Sequence, residues 1–170
     1  MASLVEELLK DLEEERQAYE SLLSLSDKKK ELIIQGKAED LEALTAKEEQ
    51  IGSTLKNLAN KRVSLLRDMA VVLGHDGEDV TVTRVIELLG NRPKEQSALT
   101  QARDLLVDTA SQLQMANQQN FILLQQALEM VEFDLTLFKS LKQAPETANY
   151  NKDAYNTGSL LGGGNFDTSQ

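Results

Sequence analysis

The fold is decided by residues 8–23, LLKDLEEERQAYESLL, and residues 55–69, LKNLANKRVSLLRDM, which mirror each other in apolar spacing. Both segments repeat apolar residues at alternating three- and four-residue steps, the pattern of helices that pack along one seam. If the chain folds back so that paired residue numbers sum to 77, apolar residues meet apolar residues. The pairs are Val5 with Val72, Leu8 with Met69, Leu12 with Leu65, Tyr19 with Leu58, Leu22 with Leu55, and Ile33 with Leu44. The pattern predicts a long antiparallel helical hairpin.

The same register sets opposite charges against each other where the apolar seam is interrupted. Glu15 then meets Arg62, and Lys29 meets Glu48. A shift of one heptad would place these charges against leucine or methionine, and an unpaired charge in an apolar seam is costly. We therefore expect the hairpin to adopt this register.

Local signals predict where the two hairpin helices begin and end. Ser3 followed by Glu6 indicates a capping box that opens the first helix. Gly36 is expected to end that helix, because glycine readily adopts the left-handed conformation found just after helices. The second helix should run from about Ala38 to Leu73 and end at Gly74.

A short helix and a long helix are predicted to follow the hairpin. Thr81 or Thr83 can cap the short helix, which we expect to cover the base of the hairpin. The heptad pattern resumes after Pro93 and predicts a last helix from roughly Lys94 to Lys142 that stops before Pro145. At a rise of 1.5 Å per residue this helix is about 70 Å long, against about 50 Å for each hairpin arm.

These elements predict an all-α protein. A long antiparallel helical hairpin, a short connecting helix and a long C-terminal helix should form an elongated bundle. Paired apolar residues such as Leu8–Leu9 and Leu22–Leu23 widen the apolar stripe and indicate that a third helix packs alongside the hairpin. We expect the bundle to occupy residues 1–143 and the Asn- and Gly-rich residues 144–170 to form a flexible, disordered tail.

The composition favours a cytoplasmic protein that binds no nucleic acid and inserts into no membrane. The 28 acidic and 18 basic residues give a net charge of −10, which repels phosphate backbones and anionic lipid headgroups. The absence of cysteine suits a reducing compartment, and the N-terminus lacks the pattern of a signal peptide. The longest clean apolar run, Met69–Leu73, is far shorter than the ~20 residues of a membrane span.

The sequence contains no recognisable catalytic or metal-binding motif. The only histidine, His75, falls in a predicted loop without the Glu-x-x-His partner that a bundle metal site requires, and we expect it to be a solvated loop residue. There is no P-loop, HExxH or EF-hand pattern. We expect a binding protein that uses no cofactor and no metal, rather than an enzyme.

The end of the last helix is a candidate binding surface. If this helix starts near the base of the hairpin, its end should overhang the tip. Uncovered apolar surface on an acidic protein marks a partner site, whereas a kink or fold-back of the helix would bury it. The apolar residues beyond what one seam requires are Phe133, Leu135, Leu137, Phe138 and Leu141.

Two asparagines and the tail each allow two interpretations. Asn117 and Asn120 lie one turn apart on or beside the seam. They are either buried amides that fix helix register at some cost in stability, or amides that hydrogen-bond a client helix. The tail is either a simple terminus or a linear motif, with Tyr150, Tyr155, Leu160, Leu161 and Phe166 spaced through it as anchors.

The order of these features resembles the FlgN family of flagellar type III export chaperones. The resemblance covers residues 1 to about 160, and the combination of elements carries it rather than any one of them. The matching residues are Leu8-Leu9-x-x-Leu12, Tyr19-x-x-Leu22-Leu23, Lys28 to Leu32, Gly36, Leu41-Glu42-Ala43-Leu44, Glu48-Glu49, Val85-Ile86, Leu88-Leu89, and Asn117-x-x-Asn120-x-x-Leu123-Leu124-x-x-x-Leu128. Lys37 departs from the pattern, because many relatives carry an acidic residue there, so the second helix should lack its usual cap.

The resemblance implies a cytoplasmic chaperone that keeps flagellar hook-associated proteins soluble and delivers them to the flagellar export gate. It implies that the last helix binds the amphipathic C-terminal segment of the client without nucleotide or metal. A tail tyrosine would contact the export gate, and Tyr155, three residues before Gly158, fits the family spacing better than Tyr150. The client-binding candidates are Asn117, Asn120, Leu124, Leu128, Val131, Leu135 and Phe138.

A second hypothesis is a structural coiled-coil adaptor or spacer that self-oligomerises. In that case copies of the same chain would fill the apolar seam, and no groove would stay exposed. A homodimer through the end of the last helix is a further prediction that either function allows.

Overall fold

The computed structural model describes residues 1–148, with side chains described as far as Lys142. The described residues form four α-helices, which confirms the all-α class with a helical hairpin, a short helix and a long last helix. The helices are α1 (Ala2–Gln35), α2 (Ala38–Val72), α3 (Val82–Leu88) and α4 (Pro93–Ala148). The chain divides into two units between Leu123 and Leu124. The boundary predicted at residue 143 stays a prediction.

Glycines end both hairpin helices, as predicted. Gly36 adopts the left-handed conformation with φ of 68°, and its N–H donates to the carbonyl oxygen of Ile33. The N–H of His75 donates to the carbonyl oxygen of Ala70 across Gly74, whose φ is 79°. These bonds satisfy carbonyl groups that a helix end otherwise leaves unpaired, so each helix stops at a defined residue.

The helix starts follow the predictions only in part. The capping box predicted at Ser3 is wrong, because the N–H of Val5 already bonds to the carbonyl oxygen of Met1 and Ser3 lies inside the first turn of α1. Lys37 precedes α2 without a side-chain cap, as expected. Thr81 is the residue that caps α3, since its hydroxyl oxygen accepts the N–H of Arg84 at 3.1 Å.

The last helix is longer than the sequence predicts. It begins at Pro93, because proline at the first helical position lacks only an N–H that would be unpaired there anyway. It ends at Ala148, so the prediction that it stops before Pro145 is wrong. The φ angle of proline is itself helical, and the ring therefore costs a hydrogen bond and a local distortion without forbidding the helix.

The core lies at the base of the hairpin and joins all four helices, which confirms that α3 covers this end. Val72 does not take part, because it is 58% exposed, and its predicted pairing with Val5 is wrong. Val5 is instead buried in a cluster that α3 and α4 complete. The buried members are Val5, Leu8, Leu12, Leu65, Leu66, Met69, Val85, Ile86, Leu89, Leu99 and Leu106.

Both predicted ion pairs form across the hairpin. Arg62 Nη1 lies 3.4 Å from Glu15 Oε2, and Lys29 Nζ lies 3.2 Å from Glu48 Oε1. The two contacts lie on either side of the hairpin's middle, so a slip of either helix would break both. The register deduced from the sequence is therefore confirmed.

A buried carboxyl group beside Glu15 was not predicted. Asp11, one turn earlier on α1, is fully buried, and neither of its carboxylate oxygens has a hydrogen-bond partner among the described residues. Burial raises the pKa of Asp11. Burial also raises the pKa of Glu15 to about 7, although the positive charge of Arg62 lowers that pKa. Two neighbouring buried carboxyl groups resist losing both protons, so the pair retains a proton near neutral pH.

The stability of the hairpin should therefore fall as the pH rises through 7. The folded-state pKa of Glu15 lies above its ordinary value of 4.5, so its favourable contribution is complete below pH 4.5 and is lost through pH 7. We expect the urea midpoint of unfolding, followed by circular dichroism, to decrease from pH 6 to pH 8.5.

The variant Glu15→Gln should remove most of this pH dependence, because glutamine carries no proton to lose. Glu7→Gln, which changes an exposed residue of the same helix, serves as the control and should keep the decrease. A wild-type midpoint that stays constant or rises between pH 6 and pH 8.5 would contradict the assignment.

Candidate protein-binding surface

Asn120 holds α4 to α1 from inside the protein. Its side chain is 5% exposed, and its amide nitrogen donates to the carbonyl oxygen of Ser26 at 2.9 Å and to the hydroxyl oxygen of Ser26 at 2.8 Å. Both N–H groups of the amide are thus used within the chain. Of the two interpretations of Asn120, the register-fixing amide is the one that this geometry matches.

Asn117 lies on the surface, one turn from Asn120. It lines an open groove of about 700 Å³ between Tyr19 of α1 and the middle of α4. Most of the groove wall is apolar, and Phe121 and Ile122 are 61% and 53% exposed. Three of the lining residues, Tyr19, Phe121 and Ile122, were not predicted as binding residues, because each fits a helical pattern that core residues share. The lining residues are Tyr19, Ala110, Leu113, Gln114, Asn117, Gln118, Phe121 and Ile122.

The part of α4 from Leu124 onward carries an exposed apolar face. Leu124, Leu128, Val131, Leu135 and Phe138 follow each other at steps of four, three, four and three residues, which places them on one side of a helix. We call these five residues the α4 stripe. Each is between 36% and 64% exposed. All five side chains of the stripe are therefore exposed.

Further apolar residues lie on the same or the next turns but point away from the α4 stripe. Met130 is 67% exposed and was not predicted as part of a binding surface, because methionine is also common in cores. The other exposed residues, all predicted, are Phe133, Leu137 and Leu141. Together with the stripe they leave this part of α4 apolar on more than one side, which is unusual for a helix in contact with water.

Acidic side chains border the α4 stripe. At 100° per residue, Glu132 and Asp134 lie on opposite sides of it, each close to a right angle from its centre. Lys139 and Lys142 add positive charge only toward the later turns. A partner helix with an apolar face and basic residues along its edges complements this arrangement.

Metal-ligating side chains do not cluster in the part of the chain that the structure describes. Within that part, no group of three His, Cys, Asp or Glu side chains is placed to hold a metal ion. His75 Nδ1 lies 3.0 Å from Glu78 Oε1, so this half-buried histidine has a partner rather than being fully solvated. No helix within residues 1–148 has the length and apolar character needed to cross a bilayer. Tyr150 and Tyr155 lie outside the described residues.

Comparison with protein-family models identifies a match over most of the chain. A family model described as FlgN protein matches residues 1–158, which is most of the chain and includes the α4 stripe, Tyr150 and Tyr155. Neither the curated proteins nor the solved structures include a significant match to this sequence. The relationship is thus found at the level of the family alone.

Asn120 and Asn117 offer a matched pair for testing the structural role of the buried amide. Asn120→Ala removes two hydrogen bonds and leaves the carbonyl oxygen of Ser26 buried, and we expect a loss of about 1–3 kcal/mol in the free energy of unfolding. Asn117→Ala changes an exposed side chain and should stay within about 0.5 kcal/mol of wild type. Urea titration of both variants measures the difference, and equal effects would show that Asn120 does not hold the two helices together.

Proposed function

The chain belongs to the FlgN family of flagellar export chaperones, and on that premise we propose that it serves hook-associated proteins. In this proposal it is a cytoplasmic chaperone that binds the amphipathic C-terminal segment of a hook–filament junction protein. It keeps that segment from self-associating and delivers the client to the flagellar export gate. Binding requires neither nucleotide nor metal.

The exposed α4 stripe is the observation that carries this proposal. Helix-in-groove recognition uses apolar anchors three, four and seven residues apart, and Leu124, Leu128, Val131 and Leu135 have this spacing. Covering the five stripe residues would remove on the order of 300 Å² of apolar surface from water, worth about 7 kcal/mol before the costs of association. This gain is of the same order as the cost of association, so the contact is reversible and also draws on the charges that border the stripe.

The acidic residues that border the stripe support the proposal that the client binds through an amphipathic helix. Glu132 and Asp134 border the stripe, so a client helix with lysine or arginine beside its apolar face gains charge complementarity at both edges. Asn117, exposed in the groove one turn before Phe121, can hydrogen-bond the same segment. Asn120 contributes indirectly, because its bonds to Ser26 hold α4 in place.

The tail is proposed to make the contact with the export gate. Tyr155 is the favoured residue and Tyr150 the second choice, and the family match extends through both. An aromatic side chain with a polar hydroxyl suits such a contact, because it supplies apolar area and a hydrogen bond at low entropic cost.

The alternative of a self-oligomerising spacer has less support. It requires other copies of the chain to fill the hairpin seam, whereas Glu15 and Lys29 find their opposite charges within the same chain. A homodimer formed through the α4 stripe stays a prediction, and it would compete with a client for the same residues.

The double variant Leu128→Asp, Val131→Asp tests the client surface. Wild-type protein immobilised on resin should recover a hook-associated protein, identified by mass spectrometry, from the lysate of a flagellated host. The variant should recover little of it, because two carboxylates in the contact would be buried without partners.

The control for this experiment changes two equally exposed valines elsewhere. Val71→Asp, Val107→Asp introduces the same charges on α2 and on an earlier turn of α4, and it should recover the client as wild type does. Recovery by the stripe variant would place the client site elsewhere on the protein. Failure of wild type to recover any hook-associated protein would contradict the proposed function.

A further inference from the structure

We propose that residues 149–170 of the same chain occupy the α4 stripe when no client is bound. The contacting side chains would be Leu160 and Leu161 together with Phe166, and the segment would compete with the client for the stripe. The competition rests on the proposed function, whereas the contact between tail and stripe does not depend on it.

The α4 stripe is apolar surface that stays in contact with water unless another segment covers it. Its five apolar side chains are exposed along one face of the helix, and three other large apolar residues on the same turns are exposed by more than 60%. An exposed apolar face of this kind marks a site at which another segment binds. The segment that follows α4 directly is always present, at a concentration that does not depend on the amount of client.

The length of the tail matches the position of the stripe. Leu160 lies twelve residues beyond Ala148, and a random coil of that length spans about 19 Å. Leu135 lies thirteen residues before Ala148, which is about 20 Å back along the helix. Phe166 spans about 23 Å by the same measure, close to the distance of about 26 Å back to Val131.

The sequence of the tail suits a reversed chain with a few apolar contacts. Residues 149–159 contain asparagine, aspartate, serine and glycine, which favour turns and allow the chain to double back along α4. Leu160 and Leu161 are followed by three glycines and then by Phe166. Such a segment presents two separate apolar anchors and few charges, so it can lie on the stripe but cannot match the contact area of an amphipathic helix.

Because the tail is covalently joined to α4, a weak contact is sufficient to keep the stripe occupied most of the time. A tether whose average length equals the distance to its site gives an effective concentration in the millimolar range. A contact with a Kd of about 0.2 mM at an effective concentration of about 1 mM leaves the stripe free about one-sixth of the time. The apparent affinity for a client is then lowered about sixfold, which a client helix with a larger contact area overcomes.

The absence of cysteine allows the contact to be tested directly in the full chain. A nitroxide spin label is attached through Ser159→Cys, and the methyl signals of Leu128, Val131 and Leu135 are recorded by NMR with the label oxidised and reduced. The same label is placed in a chain with Leu160→Ser, Leu161→Ser and Phe166→Ser. We expect stronger broadening of the stripe methyl signals in the first chain, because only its tail retains the anchors.

Equal broadening in the two labelled chains would overturn the proposal, since chance encounters of a tethered label would then explain it. A mixture of spin-labelled chains with isotope-labelled chains that carry no spin label tests for a second copy. Broadening in that mixture would show that the tail contacts the stripe of another chain, which also overturns the intramolecular contact. No broadening there supports it.

The effect on the client is measured separately by titration with a hook-associated protein. The variant with three serines should bind about sixfold more tightly than wild type, whereas Thr157→Ser, Asn165→Ser, which keeps the apolar anchors, should bind as wild type does. If spin-label contact is present but neither chain binds the client, the proposed function fails and the tail contact stands. If both bind it equally, the competition fails.

Discussion

The carboxyl group of Glu15 lies out of contact with water between two helices, 3.4 Å from the guanidinium of Arg62. A buried carboxyl group that loses its polar partner is destabilising whether it is protonated or charged, so this contact favours the hairpin register that preserves it. The Lys29–Glu48 pair imposes the same register nearer the turn. Two further features of the described structure depend on this register. The core cluster requires the register that places Leu8 opposite Met69. The hydrogen bond of Asn120 requires Ser26 of α1 to lie opposite it on α4.

The register of the hairpin could be deduced from the sequence because two independent patterns agree on it. Apolar spacing alone tolerates shifts of seven residues, and the opposite charges at positions 15 and 62 exclude those shifts. The two turns were also predictable, since Gly36 and Gly74 adopt backbone conformations that other residues rarely take. Such signals lie within the sequence of the element itself.

What escaped prediction depends on how helices far apart in the sequence meet. In the sequence pattern of α1, Asp11 occupies an ordinary polar position. Its complete burial results from packing around α1 that the hairpin pattern does not specify. Asn120 was placed on or beside the seam, but its bond to Ser26 joins residues 94 positions apart, with no pair of charges to set the register of α4. The capping box at Ser3 failed for a smaller reason, because the helix begins two residues earlier than that motif requires.

The heptad repeat of α4 has two different roles in two parts of the helix. At Leu99, Leu106 and Leu113 it builds a buried seam, whereas the same kind of repeat from Leu124 to Phe138 stays exposed. Sequence periodicity cannot separate these two uses, because the residue types are the same. Exposure in the folded chain makes the distinction, and it supports our proposal that the end of α4 receives the client.

Hydrogen exchange would locate the bound client on the chain. Backbone amide exchange would be followed by mass spectrometry for the free protein and for its complex with a hook-associated protein. We expect slower exchange in peptides that cover residues 124–141, and little change in peptides from the α1–α2 hairpin. Slower exchange confined to the hairpin, with none in residues 124–141, would contradict the claim that the end of α4 receives the client.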